Sequence, residues 1–224
     1  YFKIANITIT SSGSKEVTIT GSYQYGQDRL KGDGLITVER NVLTIEHVTI
    51  KNAGKGSAVA MWSGATCTID KANISGSNGS QEGVITICDS NACTITHTEV
   101  TGNVASGYGA IMFMDSCSDC TIGDGAVIKN ENSGGYCVKV NGNYNVKITV
   151  EKDATLTSSL TIMDTTYSNV TVNIEGGTFN GHLRLPDNSQ IAGGTFTPAS
   201  ASGNAIWVNN SKKTLQDLLK VGYT

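Results

Sequence analysis

The stretch Ala92-Cys93-Thr94-Ile95 decides the fold, because the same pattern returns along the chain at a nearly constant interval. It occurs one period earlier as Thr66-Cys67-Thr68-Ile69 and one period later as Asp119-Cys120-Thr121-Ile122. Its last residue belongs to a column with spacings of 24, 26, 27, 26 and 24 residues, made of Ile45, Ile69, Ile95, Ile122, Ile148 and Val172. A period of this length is typical of stacked repeats, each of which buries its apolar face only against its neighbours.

Each repeat is predicted to hold three short strands, of which the Cys-Thr-Ile segment is the second. The first strand alternates with a period of two and places two apolar residues inward, in the pairs Ile36/Val38, Val59/Met61, Ile85/Ile87, Ile111/Phe113 and Val138/Val140. The third strand supplies one inward residue five positions after each column isoleucine, namely Ile50, Ile74, Val100 and Val127. Turn residues follow it, at Asn52, Gly76, Gly102 and Asn130.

This repeat pattern, seen clearly in the segment Gly83 to Asn103, resembles the right-handed parallel β-helix of pectate-lyase-like proteins over about residues 35–210. The resemblance implies an all-β solenoid of about 24–27 residues per coil, in which equivalent strands pair in parallel. We expect a single domain over residues 1–224. Residues 1–34 would form N-terminal strands and a cap, residues 35–210 the coils, and residues 211–224 a capping helix.

The two ends of the chain depart from the regular repeat. Alternation predicts strands at Ile4–Thr10 and Glu16–Thr20, followed by a turn-rich excursion up to Gly34. Near the other end, coils shorten to a 17-residue interval between two Gly-Gly-Thr-Phe segments at 176–179 and 193–196. The helix is predicted from a capping-box-like start at Thr214–Asp217 and an apolar face, with Gly222 as terminator; that face comprises Leu215, Leu218 and Leu219.

Composition excludes several classes of function. Charged residues make up 16% of the 224 residues and the net charge is −3, so no basic stripe for nucleic acid is present. No apolar run reaches the length of a membrane span, so no membrane insertion is predicted. The chain opens on Tyr1, which indicates a fragment of a larger, multi-domain protein.

The C-terminal 45 residues carry a second, narrower resemblance. The Gly-Gly-Thr-Phe segments followed by Lys213–Tyr223 look like endings of large cell-surface proteins of Gram-positive bacteria. This resemblance implies an extracellular, cell-surface setting and names no activity.

The six cysteines do not by themselves indicate a disulfide framework. Cys67, Cys93 and Cys120 share the inward column, where a free cysteine acts as a small buried hydrophobe. Cys88 and Cys137 lie at a strand end and a strand start. No cofactor or metal set is predicted, and calcium held by carboxylates is the one alternative.

Candidate site residues are few. Asp89 and Asp115 stand 26 residues apart at equivalent places, so stacked coils would bring them within about 5 Å; turn-forming and catalytic roles both fit them. Trp62 and Trp207 each follow an inward residue and should point outward. Trp62 aligns with Cys88 and Met114 in the next coils, which predicts an external apolar stripe. Trp62, Met114 and Trp207 are therefore the candidate ligand-binding residues.

The three histidines give no metal set. His47 and His97 occupy equivalent places two coils apart, with Lys71 between them. About 10 Å would then separate the two imidazoles, which is too far for them to share a metal ion.

Two functions remain open. The first is a non-catalytic surface module, an adhesin or binding domain for a glycan or host protein or a rigid spacer, because no clustered acid, base or metal set is visible. The alternative is a carbohydrate-active enzyme, a polysaccharide lyase or glycoside hydrolase. A groove with several carboxylates and a basic residue would favour the enzyme.

Overall fold

A computed structural model describes residues 6–11, 16–21, 34–79, 82–105, 107–142, 144–162, 169–208 and 213–220. The predicted excursion over residues 23–33 and the predicted terminator Gly222 lie outside these residues. The described strands are β1 Ile7–Thr10, β2 Val17–Thr20, β3 Gly34–Glu39, β4 Val42–Glu46, β5 Val48–Lys51, β6 Ser57–Trp62, β7 Thr66–Asp70, β8 Asn73–Ser75, β9 Ile85–Cys88, β10 Ser90–Thr96, β11 Glu99–Asn103, β12 Gly109–Phe113, β13 Cys117–Ile122, β14 Val127–Asn130, β15 Tyr136–Val140, β16 Val146–Val150, β17 Thr155–Ile162, β18 Val170–Ile174, β19 Thr178–Leu185, β20 Gln190–Ile191, β21 Thr195–Thr197 and β22 Ile206–Val208. Helix α1 spans Leu215–Leu218.

These strands form a parallel β-solenoid of about 6 turns, which confirms the predicted fold class. The second strands of successive coils make one sheet of eight strands, in the order β1-β4-β7-β10-β13-β16-β18-β20. The third and first strands make a 14-stranded sheet. Those two columns merge because β17 pairs with both β14 and β15, and β19 pairs with both β21 and β22.

The register confirms most of the predicted inward columns. Ile95 pairs with Ile69 and with Ile122, and Met61 pairs with Ile87. The thiols Cys67, Cys93 and Cys120 stack in one buried line, also as predicted.

Three predicted column members are wrong. Ile122 pairs with Val150, while Ile148 pairs with Cys120 and Val172 with Ile148, because 28 residues rather than 26 separate Ile122 from its partner in the next coil. The inward residue of β14 is Ile128 rather than Val127, since the turn before it is one residue longer than the turn before Val100. Both errors follow from local insertions that a fixed period does not reveal.

The solenoid begins earlier than the sequence period indicates. Strands β1 and β2 pair in register with β4 and β5, so Ile9 stacks on Ile45 and Ile19 on Ile50. The 36 residues between Ile9 and Ile45 exceed the regular repeat, which is why the period hides this first coil.

Asparagine and glycine shape the turn after the third strand. Asn52, Gly76 and Gly102 have φ values of 57°, 68° and 65°, which confirms their predicted left-handed turn role. Asn130 has a different role from the one predicted. It is buried at the end of β14 and stacks on Asn103, and its side-chain amide forms hydrogen bonds with surrounding backbone groups.

The C-terminal helix is shorter than predicted. Leu218 is 1% exposed and packs into the core, but Leu215 is 42% exposed, so the predicted three-leucine face is wrong. The helix ends because Leu219 is extended and bridges to Ile191, and the Lys220 amide donates to the Ile191 carbonyl at 2.8 Å. This pairing extends the sheet edge at β20. No helix of the described residues is long and apolar enough to cross a membrane.

We expect the buried side-chain amide of Asn130 to contribute strongly to the stability of the fold. Its Oδ1 accepts from the Ala105 amide at 3.2 Å, and its Nδ2 donates to the Tyr136 carbonyl at 3.0 Å. Asn130→Ala leaves these groups unsatisfied and should lower the free energy of unfolding by about 2 kcal/mol or more. Asn91→Ala, the same change at an exposed asparagine, should cost less than about 1 kcal/mol. Urea unfolding of both variants measures the difference, and equal losses would contradict it.

We also expect all six thiols to resist alkylation in the folded protein. All are free and buried, and burial raises the pKa of Cys117 and of Cys137 to about 12. Because the thiolate is the reactive form, iodoacetamide at about pH 8 should label none of them before unfolding and all six in urea. Mass spectrometry counts the labels. Labelling of a core thiol without denaturant would contradict the packing described.

Candidate functional site

A groove runs along the outside of the solenoid, and its floor is a stripe of four residues at equivalent places. Trp62 and Cys88 end β6 and β9 and are register partners. Met114 and Asn141 directly follow β12 and β15. Because the residue before each of them points into the core, these four point outward. With adjacent strands about 4.8 Å apart, Trp62 and Asn141 lie about 14 Å apart along the axis.

The turn after each first strand supplies one wall of this groove. Ser63 and Asp89 follow the floor residues in successive coils, with φ of 51° and 46°. Asp is among the few non-glycine residues that tolerate this left-handed region. Asp115 occupies the same place one coil further on, and its Oδ1 accepts from the Ser116 amide at 2.7 Å. The two aspartates therefore act as turn residues and also line the groove.

Glu82 and Tyr144 complete the lining from two further segments. Glu82 precedes β9 and is only 3% exposed. Tyr144 follows β15, and its ring packs so closely over Gly142 that it occupies the space a side chain there would need. The groove has a volume of about 470 Å³. Its size and mixed aromatic and polar lining are typical of small-ligand sites.

The groove is acidic. Among the residues that the structure describes, its lining contains Glu82, Asp89 and Asp115 and no lysine, arginine or histidine. Burial, together with the negative charges of Glu82, Asp115 and Asp89, raises the pKa of the Cys88 thiol to about 12.

The structure brings together four of the five predicted site residues. Trp62, Met114, Asp89 and Asp115 line the groove, whereas Trp207 lies on β22, several coils away. Trp207 is 53% exposed, and the Arg184 guanidinium stands 4.9 Å from its ring centroid. The groove residues that sequence reasoning did not single out as site residues are Ser63, Glu82, Cys88, Asn141 and Tyr144. Ser63, Cys88 and Asn141 had a usable signal, since each stands one coil from Asp89 or Met114, whereas no repeat marks Glu82 or Tyr144.

A second polar cluster lies on the turn between the second and third strands. As the spacing indicates, His47, Lys71 and His97 follow one another there, with φ of 54°, 50° and 46°. His97 Nδ1 lies 2.8 Å from Asp70 Oδ1, and His97 Nε2 lies 3.2 Å from Asp124 Oδ2. The imidazole thus bridges carboxylates of two neighbouring coils.

The side chains of this cluster form ion pairs with one another and link neighbouring coils. Both ring nitrogens of His97 contact carboxylates, and Lys71 Nζ contacts Asp70 Oδ2 at 3.2 Å. Within the described parts of the chain, no group of three His, Cys, Asp or Glu side chains has the arrangement needed to hold a metal ion.

Asp70 should make stability depend on pH below the neutral range. Burial acts to raise the pKa of Asp70, but hydrogen bonds from His97, Thr96 and Lys71 outweigh it, so the pKa lies below its ordinary value. A depressed carboxyl pKa stabilises the fold above the unfolded-state pKa, and this contribution is lost as pH falls through the folded-state pKa.

The destabilisation caused by Asp70→Asn should therefore be largest near neutral pH and shrink below about pH 4. Urea midpoints of wild type and variant across this range measure it. Asp153→Asn, on an exposed turn, controls for the general loss of one negative charge. A destabilisation that is unchanged down to about pH 3 would contradict the role of the Asp70 charge.

No protein-family model, curated protein or solved structure matches this chain. Its function is therefore argued from the groove.

Proposed function

We propose that this chain is a non-catalytic glycan-binding module, and that the groove from Trp62 to Asn141 binds a linear saccharide. The observation that carries the proposal is the placing of two aromatic side chains, Trp62 and Tyr144, in one groove with polar side chains. Flat apolar rings stack on the faces of sugar rings, and carboxylate and amide groups form hydrogen bonds with the hydroxyl groups of the sugar.

The direction of the groove supports a chain-like ligand. Its floor crosses four coils, and the aligned floor residues repeat every strand spacing, about 4.8 Å. A ligand with its own repeat along one axis meets equivalent backbone surroundings at each step. A compact ligand would use only part of this length.

Binding is favoured over lyase chemistry by the charges in the lining. A polysaccharide lyase needs a lysine or arginine to take the proton beside a uronate carboxylate. Of the described residues that line the groove, none is a lysine or arginine, which supports binding over lyase chemistry.

Glycoside hydrolysis is the second candidate, because the groove holds three carboxylates. Glu82 precedes its strand, whereas Asp89 and Asp115 follow theirs, so carboxyl groups enter from both ends of the strands. Hydrolases need two carboxyl groups on either side of the bond that is cleaved. Glu82 with Asp89 or Asp115 would be that pair.

The proposed setting is the surface of a Gram-positive cell, where the solenoid would present the groove to a host or environmental glycan. This rests on the resemblance of the C-terminal 45 residues to endings of such surface proteins. Two alternative roles need no glycan: the chain could be a rigid spacer or a domain that binds a host protein.

Trp62→Ala should weaken glycan binding without unfolding the protein. In native gels cast with mucin or plant polysaccharides, the wild type should be retarded by at least one polymer. Loss of ring stacking should weaken binding about tenfold or more, equivalent to about 1.4 kcal/mol. Trp207→Ala, which removes the other tryptophan far from the groove, should be retarded like wild type. Circular dichroism checks that both variants are folded.

Three other results would decide against this proposal. Clearing of the polymer around the band would indicate hydrolysis, and loss of clearing in Glu82→Gln would then assign the proton donor. Equal loss of retardation in both tryptophan variants would remove the groove as the site. Absence of retardation with every polymer would leave the spacer or protein-binding role.

A further inference from the structure

We infer that Lys139, held between Tyr108 and Tyr136, forms a second binding site, which takes one carboxylated sugar residue of an acidic glycan. The site lies beside the groove rather than in it. Lys139 stands two residues before Asn141, about 7 Å along the chain, and does not line the groove. Binding here does not require that the groove be occupied.

The ammonium group of Lys139 is held by three contacts. Its Nζ donates to the Gly107 carbonyl at 2.7 Å. The same atom lies 5.5 Å from the centroid of the Tyr108 ring and 5.0 Å from that of the Tyr136 ring. An ammonium group has three N–H donors, and the carbonyl uses one of them. The other donors can therefore bind an oxygen atom of a ligand.

Among the residues that the structure describes, no carboxylate compensates the charge of Lys139. Lys71, Lys129 and Lys147 pair with carboxylates at 3.2, 2.9 and 3.4 Å. The contacts of Lys139 are instead a carbonyl and two rings. Lys139 is also half-buried, and burial lowers the pKa of its ammonium group. Because this cation is partly withdrawn from water, an anion bound to it is attracted more strongly than on an open surface.

One buried side chain positions both tyrosines. Asn130 is 5% exposed, and its Nδ2 donates to the carbonyl of Tyr108 at 3.3 Å and to that of Tyr136 at 3.0 Å. The two tyrosines belong to neighbouring coils, since Gly109 pairs with Tyr136, so the shared amide fixes their spacing. The rings and the ammonium group between them are in place before a ligand arrives, which reduces the cost of ordering them on binding.

The two phenol rings favour a sugar as the carrier of the carboxylate. Aromatic rings pack against the apolar faces of sugars, and phenol hydroxyls donate to and accept from sugar hydroxyls. A carboxylate on the sugar would accept a charge-assisted hydrogen bond from Lys139, which is stronger than a neutral one. The rings come from coils about 4.8 Å apart, so the site matches one sugar residue rather than a long chain. The acid nearest in sequence, Glu131, is already paired with Lys129.

Calorimetric titration with three matched sugars tests this site. The probes are lactose, lactose capped by a sialic acid and lactose capped by a glucuronic acid, at about 50 mM and 300 mM salt. We expect at least one acidic sugar to bind the wild type about fivefold or more tighter than lactose, because only the acidic sugars offer a carboxylate to the ammonium group. The tighter of the two identifies the kind of acid that the site selects. The preference should shrink at high salt, which screens charge pairs.

Lys139→Gln locates the preference at this site. It should lower the affinity for the acidic sugar about fivefold to tenfold and leave the affinity for lactose unchanged. Glutamine keeps a donor for the Gly107 carbonyl, so the variant should fold, and circular dichroism checks this. Lys139→Arg keeps the charge and should retain the preference for the acid. Lys147→Gln, the same change at a lysine of the other sheet, should leave both affinities unchanged.

Trp62→Ala separates this site from the groove. Binding of the acidic sugar that depends on Lys139 and persists in Trp62→Ala would support the second site, whether or not the groove binds a glycan. Loss of that binding in Trp62→Ala but not in Lys139→Gln would place the acid in the groove and overturn the second site.

The remaining outcomes test the ligand class. Equal binding of lactose and both acidic sugars would overturn the second site and leave glycan binding in the groove in place. Tighter binding of a sulfated lactose would overturn the carboxylate, and tighter binding of oligoglutamate would overturn the sugar. No binding of any probe sugar or polysaccharide would overturn both this site and the proposed function.

Discussion

Parallel pairing between equivalent strands of successive coils is the constraint on which the rest of this structure depends. Backbone amides and carbonyls must be paired wherever they are buried, and here the coil above and the coil below are the partners. The pairing fixes coils about 4.8 Å apart and aligns residues that are one coil apart in sequence. Any residue type that repeats at the coil period becomes a line parallel to the axis. The thiols of Cys67, Cys93 and Cys120 form such a line inside, and the groove floor from Trp62 to Asn141 forms one outside.

The turns between strands supply many of the polar side chains on the surface of the solenoid, because turn side chains do not have to fill the core. Ser63 and Asp89 adopt left-handed backbone conformations at the same turn of successive coils, as His47 and His97 do at the next turn. Such positions favour glycine, asparagine and aspartate. Turn geometry therefore aligns polar side chains in lines along the solenoid, acidic at Asp89 and basic at His47, Lys71 and His97. The role of an acidic turn residue depends on its neighbours. Asp70 pairs with a histidine of the next coil, whereas Asp89 lines an aromatic groove.

The periodic part of this organisation could be predicted from the sequence, and the aperiodic part could not. Trp62, Met114, Asp89 and Asp115 were found because each stands at a coil-equivalent place. Ile148, Val172 and Val127 were assigned to the wrong columns because a longer coil after Ile122 and a longer turn before Ile128 change the local count. Glu82 has no acidic equivalent in the next coil, where Tyr108 stands at the matching place, so no repeat marks it.

The division between a fixed floor and variable turns has a consequence for how specificity arises in this solenoid. The floor is formed by paired strands, so binding a ligand there orders little additional backbone, and affinity is not reduced by that cost. Differences between ligands then come mainly from the side chains along the walls. Those side chains belong to turns whose backbone tolerates exchange among aspartate, asparagine and serine, as Ser63 and Asp89 illustrate at equivalent places. The charge of the groove can therefore change one coil at a time while the inward columns, and with them the fold, stay the same.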